Sequence, residues 1–221
     1  AIYGTNDKSH AGVRHLLKNT NKNYVSGKIK ALKPPHHYDF KEIRQTPKEL
    51  KDFFIKNSWD KIIAFQTRNP MHRAHFEMTR NAMKTLKANL LIHPVVGLTK
   101  PGDIDYFTRV RCYYHILKKY PKGDVKLSLI NLAMRMAGPK EALWHSIIRK
   151  NYGCTHIIIG RDHAGPGLGK NGKIFYDPFE AQNLLKQFQS EIGIEMISFK
   201  KMVFLSKTNA YEPLNKENKN K

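Results

Sequence analysis

At 221 residues the chain is long enough to bury one substantial core with a small accessory unit, and its 40% hydrophobic and 10% aromatic content is that of an ordinary globular protein. No apolar run approaches the length that spans a bilayer and no charged-then-apolar leader opens the sequence, so a cytoplasmic location without membrane association is expected. The formal net charge of +21, from 39 Lys and Arg against 18 Asp and Glu, favours anionic ligands and admits non-specific nucleic-acid binding, although lysines scattered along helices are more often a solvated surface.

In chain order, residues 1 to 45 are poorly periodic; Tyr24 to Lys30 can form a strand pair around Ser26-Gly27, and Leu32-Lys-Pro-Pro35 breaks any helix. Thr46 as cap, Pro47 at the first position and Glu49 at the third then open a helix with apolar Leu50, Phe53 and Phe54. From Lys61 strand and helix alternate. A strand at 61–66 leads to a helix from Pro70 to about Lys87, and Leu90 to Val96 reads as a second strand with Pro94 awkward in its middle. The loop 97–103 precedes a helix from about Tyr106 to Tyr120, and Val125 to Ile130 is a third strand. Gly138-Pro139 opens a helix through Ile148, His156 to Gly160 is a fourth strand, Phe179 to about Ile192 is another helix, and Glu195 to Phe204 contains a last strand. Repeated βα units imply an α/β fold, a mostly parallel sheet with helices on both faces and right-handed crossovers. The polar stretch from Leu214 to Lys221 reads as disordered.

Two strand ends carry the candidate chemistry. In Lys61 to His75 the apolar run Ile62 to Phe65 passes into Gln66-Thr-Arg-Asn, where Asn69 suits an N-cap and Pro70 the first helical position. Strand carboxyl ends above a helix N-terminus are where open α/β sheets hold anions. His72 and His75 share a face of the first turn, and Arg68 offers a planar fork of donors, a set suited to phosphate or sulfate. At the second strand end, Gly160-Arg-Asp-His-Ala-Gly-Pro-Gly167 again brings Arg and His, with glycines that allow close backbone approach. It is not a P-loop, since Ala164 holds the first glycine position and Asn171 follows Lys170. Met134 and Met136 read as core filler, whereas Arg135 is the informative residue there. His10, His15, His36, His37, His93, His115, His145 and His156 show no partner pattern and read as surface or satisfied core residues. Cys112 and Cys154 lack ligand spacing, so no protein-held metal is expected.

The stretch Gln66-Thr-Arg-Asn-Pro-Met-His-Arg-Ala-His75 resembles the signature of the ATP sulfurylase (sulfate adenylyltransferase) family, and His72-Arg-Ala-His75 resembles the HxGH element of the wider nucleotidylyltransferase superfamily, with Ala74 for Gly. Gly160 to Gly167 resembles the family's second signature, and Lys201-Met-Val-Phe204 a segment whose Val contacts adenine through its backbone. The likeness runs from about Tyr3 to Val203; most of the family's N-terminal β-rich domain is missing, and the sequence diverges after Phe204. What the resemblance implies is a Rossmann-like nucleotidylyltransferase domain at 46–207, preceded at 1–45 by a remnant of a PUA-like β domain or a docking arm and followed at 208–221 by a polar tail. It implies transfer of AMP from MgATP to sulfate, giving adenosine 5′-phosphosulfate and pyrophosphate. Thr67, Arg68, Asn69, His72 and His75 would be catalytic; Gln66, Arg68, Arg161 and Ala164 would bind sulfate; Gln66, Asn69, His72, His75, Gly160, Asp162 and Val203 would bind the nucleotide. Mg²⁺ would enter as MgATP, and a homo-oligomer is expected. Another HxGH nucleotidylyltransferase, or a basic nucleic-acid-binding protein on the same fold, are the competing readings.

Overall fold

The computed structural model describes residues 1–33, 36–97, 102–199, 202–206 and 208–214. Five parallel strands, β1 (Ile62–Phe65), β2 (Asn89–Ile92), β3 (Val125–Leu127), β4 (His156–Ile159) and β5 (Glu195–Ser198), form one sheet in the order β3-β2-β1-β4-β5. All four residues of β1 are buried because both faces of the sheet are covered. Strand alternation sends Ile63 and Phe65 into a core with Phe76, Met78, Ala82 and Met83 of α3 (Arg73–Leu86) and Val110 and Tyr113 of α4 (Tyr106–Leu117). Ile62 and Ala64 enter a second core with Leu50 and Phe54 of α2 (Pro47–Lys56), Ala142 of α5 (Pro139–Asn151) and Ala181 and Leu185 of α6 (Glu180–Ile192). The chain therefore winds outward from β1 to β3 with helices on one face, returns to β4, and winds the other way with helices on the opposite face. The switch point lies between the carboxyl ends of β1 and β4, where such sheets open a crevice.

The helix at 46 forms as expected, with Thr46 Oγ1 accepting from Glu49 N at 3.3 Å and Glu49 Oε2 accepting from Thr46 N at 2.7 Å. Four expectations are corrected. The helix after β1 starts at Arg73 with His72 as N-cap, not at Pro70 behind Asn69. The reason is an elbow closed on itself: Thr67 Oγ1 accepts from Asn69 N at 3.1 Å and donates to Asn69 O at 3.0 Å, while Tyr113 Oη donates to the same carbonyl at 2.7 Å. Second, β2 ends at Ile92, because Pro94 has no N–H for the ladder, and pairing resumes only as a bridge between Val95 and Ile130. Third, Tyr24 to Lys30 forms no strand pair, and no strand occurs among the described residues of 1–45, the segment read as a β-domain remnant or a docking arm. That region instead holds α1 (Ala11–Asn19), whose cap is His10 Nδ1 accepting from Gly12 N at 3.0 Å. Gly12 is required there, since a Cβ would come within 2.4 Å of Arg135 O. Fourth, the segment read as tail from 208 contributes a strand: β6 (Met202–Leu205) pairs antiparallel with β7 (Ala210–Pro213). The disorder expected of the last residues falls on 215–221, outside the described residues, as does Lys201. No helix among the described residues is long and apolar enough to cross a membrane.

Candidate active site

β1 and β4 are hydrogen-bonded neighbours, Ile63 against His156 and Ala64 against Ile157, so the two motif-bearing strand ends emerge side by side. Between them lies a cleft of about 410 Å³ lined by Gln66, Thr67, Arg68, Asn69, His72 and His75 from the first strand end and by Gly160, Arg161, Asp162, His163 and Ala164 from the second. Phe65, Ile158 and Met134 form apolar floor and wall. Every predicted site residue but one thus lines a single cleft. The exception is Val203, which pairs with Glu212 in the β6–β7 hairpin while its neighbour Met202 reaches the cleft. A second cavity of about 390 Å³ lies across the same turn, sharing Arg68, Arg161, Asp162, His163 and Gly165, with Leu168, Phe175 and Tyr176 as walls.

The helix start leaves its first-turn donors without a side-chain cap. His72 at the N-cap makes no side-chain cap bond, and first-turn N–H groups and the helix dipole favour negative charge there. The His72 and His75 rings lie 3.9 Å apart, centroid to centroid, at 33°. Burial, and secondarily the neighbouring His72, pushes His75 down to about 4, so it is a neutral imidazole at pH 7. Its Nδ1 is buried with no partner among the described residues, a donor or acceptor left for something else.

The two arginines differ. Arg68 is largely buried and both oxygens of Asp103 sit on its Nη1, so a carboxylate already occupies the fork that the sequence assigned to an oxyanion. Asp103 arrives from the loop after Gly97, of which residues 98–101 lie outside the described residues. Arg161 is about half exposed, with Nε 3.2 Å from Oδ2 of Asp162. Asp162 and Ala164 adopt left-handed backbone, φ 54° and 53°, conformations that cost a non-glycine residue about 1–2 kcal/mol and persist where the surroundings hold them. The turn is pinned by Asp162 N to Pro178 O at 2.8 Å, Gly165 N to Asp162 O at 3.1 Å and Gly138 N to Ala164 O at 3.1 Å.

Sequence reasoning missed what stands behind the turn. Oε1 and Oε2 of Glu141, in the first turn of α5, accept from Arg135 N and Ala137 N at 2.8 Å each. His145 Nε2 lies 3.3 Å from Glu141 Oε1 and 3.4 Å from Gln66 Nε2, and its Nδ1 lies 3.0 Å from His163 Nε2. The i, i+4 spacing of Glu141 and His145 on a helix was the available signal. Arg135, read as the informative residue of its segment, enters here through its backbone N–H. Of the other histidines, His93 is fully buried, with Arg149 Nη2 donating to its carbonyl at 3.2 Å, and His156 lies 3.2 Å from Glu195. Among the described residues, no cluster of three or more His, Cys, Asp or Glu side chains could hold a metal ion.

A doubly wound parallel sheet with a cleft at its switch point, and paired histidines at a helix start on its rim, has the architecture of an α/β domain of the nucleotidylyltransferase kind. The ATP-sulfurylase family model matches residues 41–221, and the chain belongs to that family. It is 55% identical over 215 residues to a sulfate adenylyltransferase of Schizosaccharomyces pombe, covering 97% of this chain and 44% of that protein. It is 54% identical over 214 residues to a sulfate adenylyltransferase of Gibberella zeae, covering 97% and 37%. Among solved structures it matches a chain described as hexameric APS kinase from Thiobacillus denitrificans, with TM-score 0.66 and 32% identity over 81% of this chain and 32% of that one. The chain thus spans less than half the length of these relatives.

Proposed function

We propose that the protein transfers the adenylyl group of MgATP to sulfate, giving adenosine 5′-phosphosulfate and pyrophosphate. The observation that carries this reading is that both strand-end motifs line one cleft at the β1–β4 switch point. Sulfate is a very weak base, so its oxygen needs no general base to attack the α-phosphorus; the task is to hold two anions in line against their repulsion. Arg68, Arg161, Gln66 and the backbone at Ala164 hold sulfate, with Arg68 exchanging the Asp103 carboxylate for the substrate. Thr67 keeps the elbow closed, and Asn69, Gly160, Asp162 and the β6 edge at Val203 lie against the nucleotide. His72 and His75 donate hydrogen bonds to the phosphates as charge builds on the leaving pyrophosphate; a neutral His75 stabilises that charge without giving up a proton. Mg²⁺ enters with the nucleotide as part of the substrate.

The names of the relatives support the same substrates, and the hexameric description of the structural neighbour supports a homo-oligomer. Residues 1–45 serve in this reading as an arm toward further chain that the longer relatives possess. The test is pyrophosphate release from MgATP with and without sulfate. Release that requires sulfate is expected; MgATP binding with no sulfate-dependent release contradicts the reading, and tight sequence-selective DNA binding at physiological salt favours the nucleic-acid alternative.

A further inference from the structure

The buried line from Glu141 through His145 to His163 is not used by the reaction described above, yet it ends in the wall of the cleft. Glu141 and His145 have no solvent exposure at their side chains, and His163 lines both cavities. Contacts of 3.3 Å and 3.0 Å link the three side chains through both ring nitrogens of His145. We propose that these residues form a proton relay ending at the anion cleft, so that binding of a tetrahedral dianion there is coupled to uptake of one proton from water; this rests on the cleft being an oxyanion site.

Two hydrogen arrangements satisfy the contacts. In the first, Glu141 is ionised, His145 donates Nε2–H to it, and His163 donates Nε2–H to Nδ1 of His145. In the second, Glu141 is protonated and donates to Nε2 of His145, His145 donates Nδ1–H to Nε2 of His163, and His163 carries a proton on Nδ1. Passing from first to second takes one proton from water onto His163 Nδ1, moves the His163 Nε2 proton to His145 Nδ1, and moves the His145 Nε2 proton to Glu141. The cluster goes from one negative charge to none, and no other bond changes. A dianion in the cleft favours the second arrangement because it removes a like charge from the far end of the line.

The charged and titratable surroundings work in both directions. Arg149 on the same helix opposes protonation of His145 and His163, Glu141 favours it at His163, and Tyr3 and Tyr176 sense the charge of Glu141. His72 and His75 face the cleft from the other strand end. Burial raises Glu141, with backbone N–H groups offsetting part of the effect, and lowers His145 and His163, which places the added proton at the carboxylate end.

The experiment is calorimetric titration of inorganic sulfate into the protein with magnesium α,β-methylene-ATP present, at pH 7 in buffers of differing ionisation enthalpy. The slope of heat against buffer enthalpy counts protons. Uptake of about 0.5 to 1 proton per sulfate is expected. His163→Gln and His145→Leu each abolish the buffer dependence while sulfate still binds, and His75→Asn keeps it. Sulfate binding without buffer dependence in the unaltered protein overturns the relay and leaves the cleft reading standing. Uptake lost in His75→Asn but retained in His163→Gln also overturns it, by assigning the proton to the helix-start histidines. No sulfate binding at millimolar concentration removes the oxyanion reading and the relay with it.

Discussion

At the end of β1 the chain turns through Gln66 to Met71 and enters a helix of 14 residues, whereas at the end of β4 it turns through Arg161 to Gly165 and reaches no α-helix until Glu180. The first strand end brings fixed helix-terminus charge and two imidazoles in close, tilted contact. The second brings an exposed arginine on a turn held in left-handed backbone, backed by a buried Glu–His–His line. The difference teaches that a strand's carboxyl end can be made hospitable to anions either by a dipole or by a rigid turn with a polar buttress behind it. Arg68 is held by a carboxylate in a largely buried pair, while Arg161, half exposed, pairs with its sequence neighbour Asp162.

The largest expected effect lies on the helix side. His75→Ala should lower turnover by roughly 10²–10³-fold, the cost of one donor to developing charge, while ATP affinity changes much less. Steady-state kinetics with an ATP-binding measurement checks this; equal loss of binding and none of turnover would assign His75 to ground-state binding. His75→Asn, which keeps a donor, should recover part of the loss.

Next is the asymmetry between the arginines. Arg68→Lys should reduce sulfate-dependent kcat/KM by about tenfold or more, from the loss of a charge-assisted bond worth about 1.5–3 kcal/mol. Arg161→Lys, at a half-exposed position, should cost about threefold, because solvent screens it. Equal effects in the two variants would erase the distinction between buried fork and exposed arm.

A third expectation concerns acid. A histidine whose folded-state value is depressed binds its proton more tightly when unfolded, so its contribution to stability is complete above about 6.5 and is lost as pH falls toward the folded value. For His75, held at about 4, the loss reaches about 2 kcal/mol by pH 5. His93, His145 and His163 act in the same direction. Urea midpoints at pH 7 and pH 5 should show the fall, and His75→Asn should shrink it. The smallest effect is on the rigid turn: Ala164→Gly relieves left-handed strain but frees the unfolded chain, for a net change within about 1 kcal/mol by thermal denaturation.

These contrasts were unequally legible in the sequence. The apolar run Ile62 to Phe65 and the βα alternation give the sheet directly, since period-2 burial on two faces leaves a mark that no loop imitates. That both strand-end motifs belong at one crevice was readable from their position at the carboxyl ends of parallel strands. The start of α3 was not, because Thr67 and Tyr113 hold Asn69 in an elbow that local capping preference cannot anticipate. The α1 cap escaped because histidine is an uncommon N-cap and its acceptor role depends on burial against Tyr3, Phe175 and Tyr176. The Glu141–His145 pair sat at helical spacing, but its meaning came from His163, which only tertiary structure brings alongside.

The central claim is that the two strand ends hold one and the same anion. A double-mutant cycle on Arg68→Lys and Arg161→Lys, read as sulfate-dependent kcat/KM for pyrophosphate release, tests it most directly. If both guanidinium groups grip one sulfate, the losses are not additive, and the coupling is about 1 kcal/mol or more, a deviation of roughly fivefold from the product of the single effects. Additivity within about 0.3–0.5 kcal/mol would mean that the arginines act on separate anions, and the single-cleft account would be contradicted.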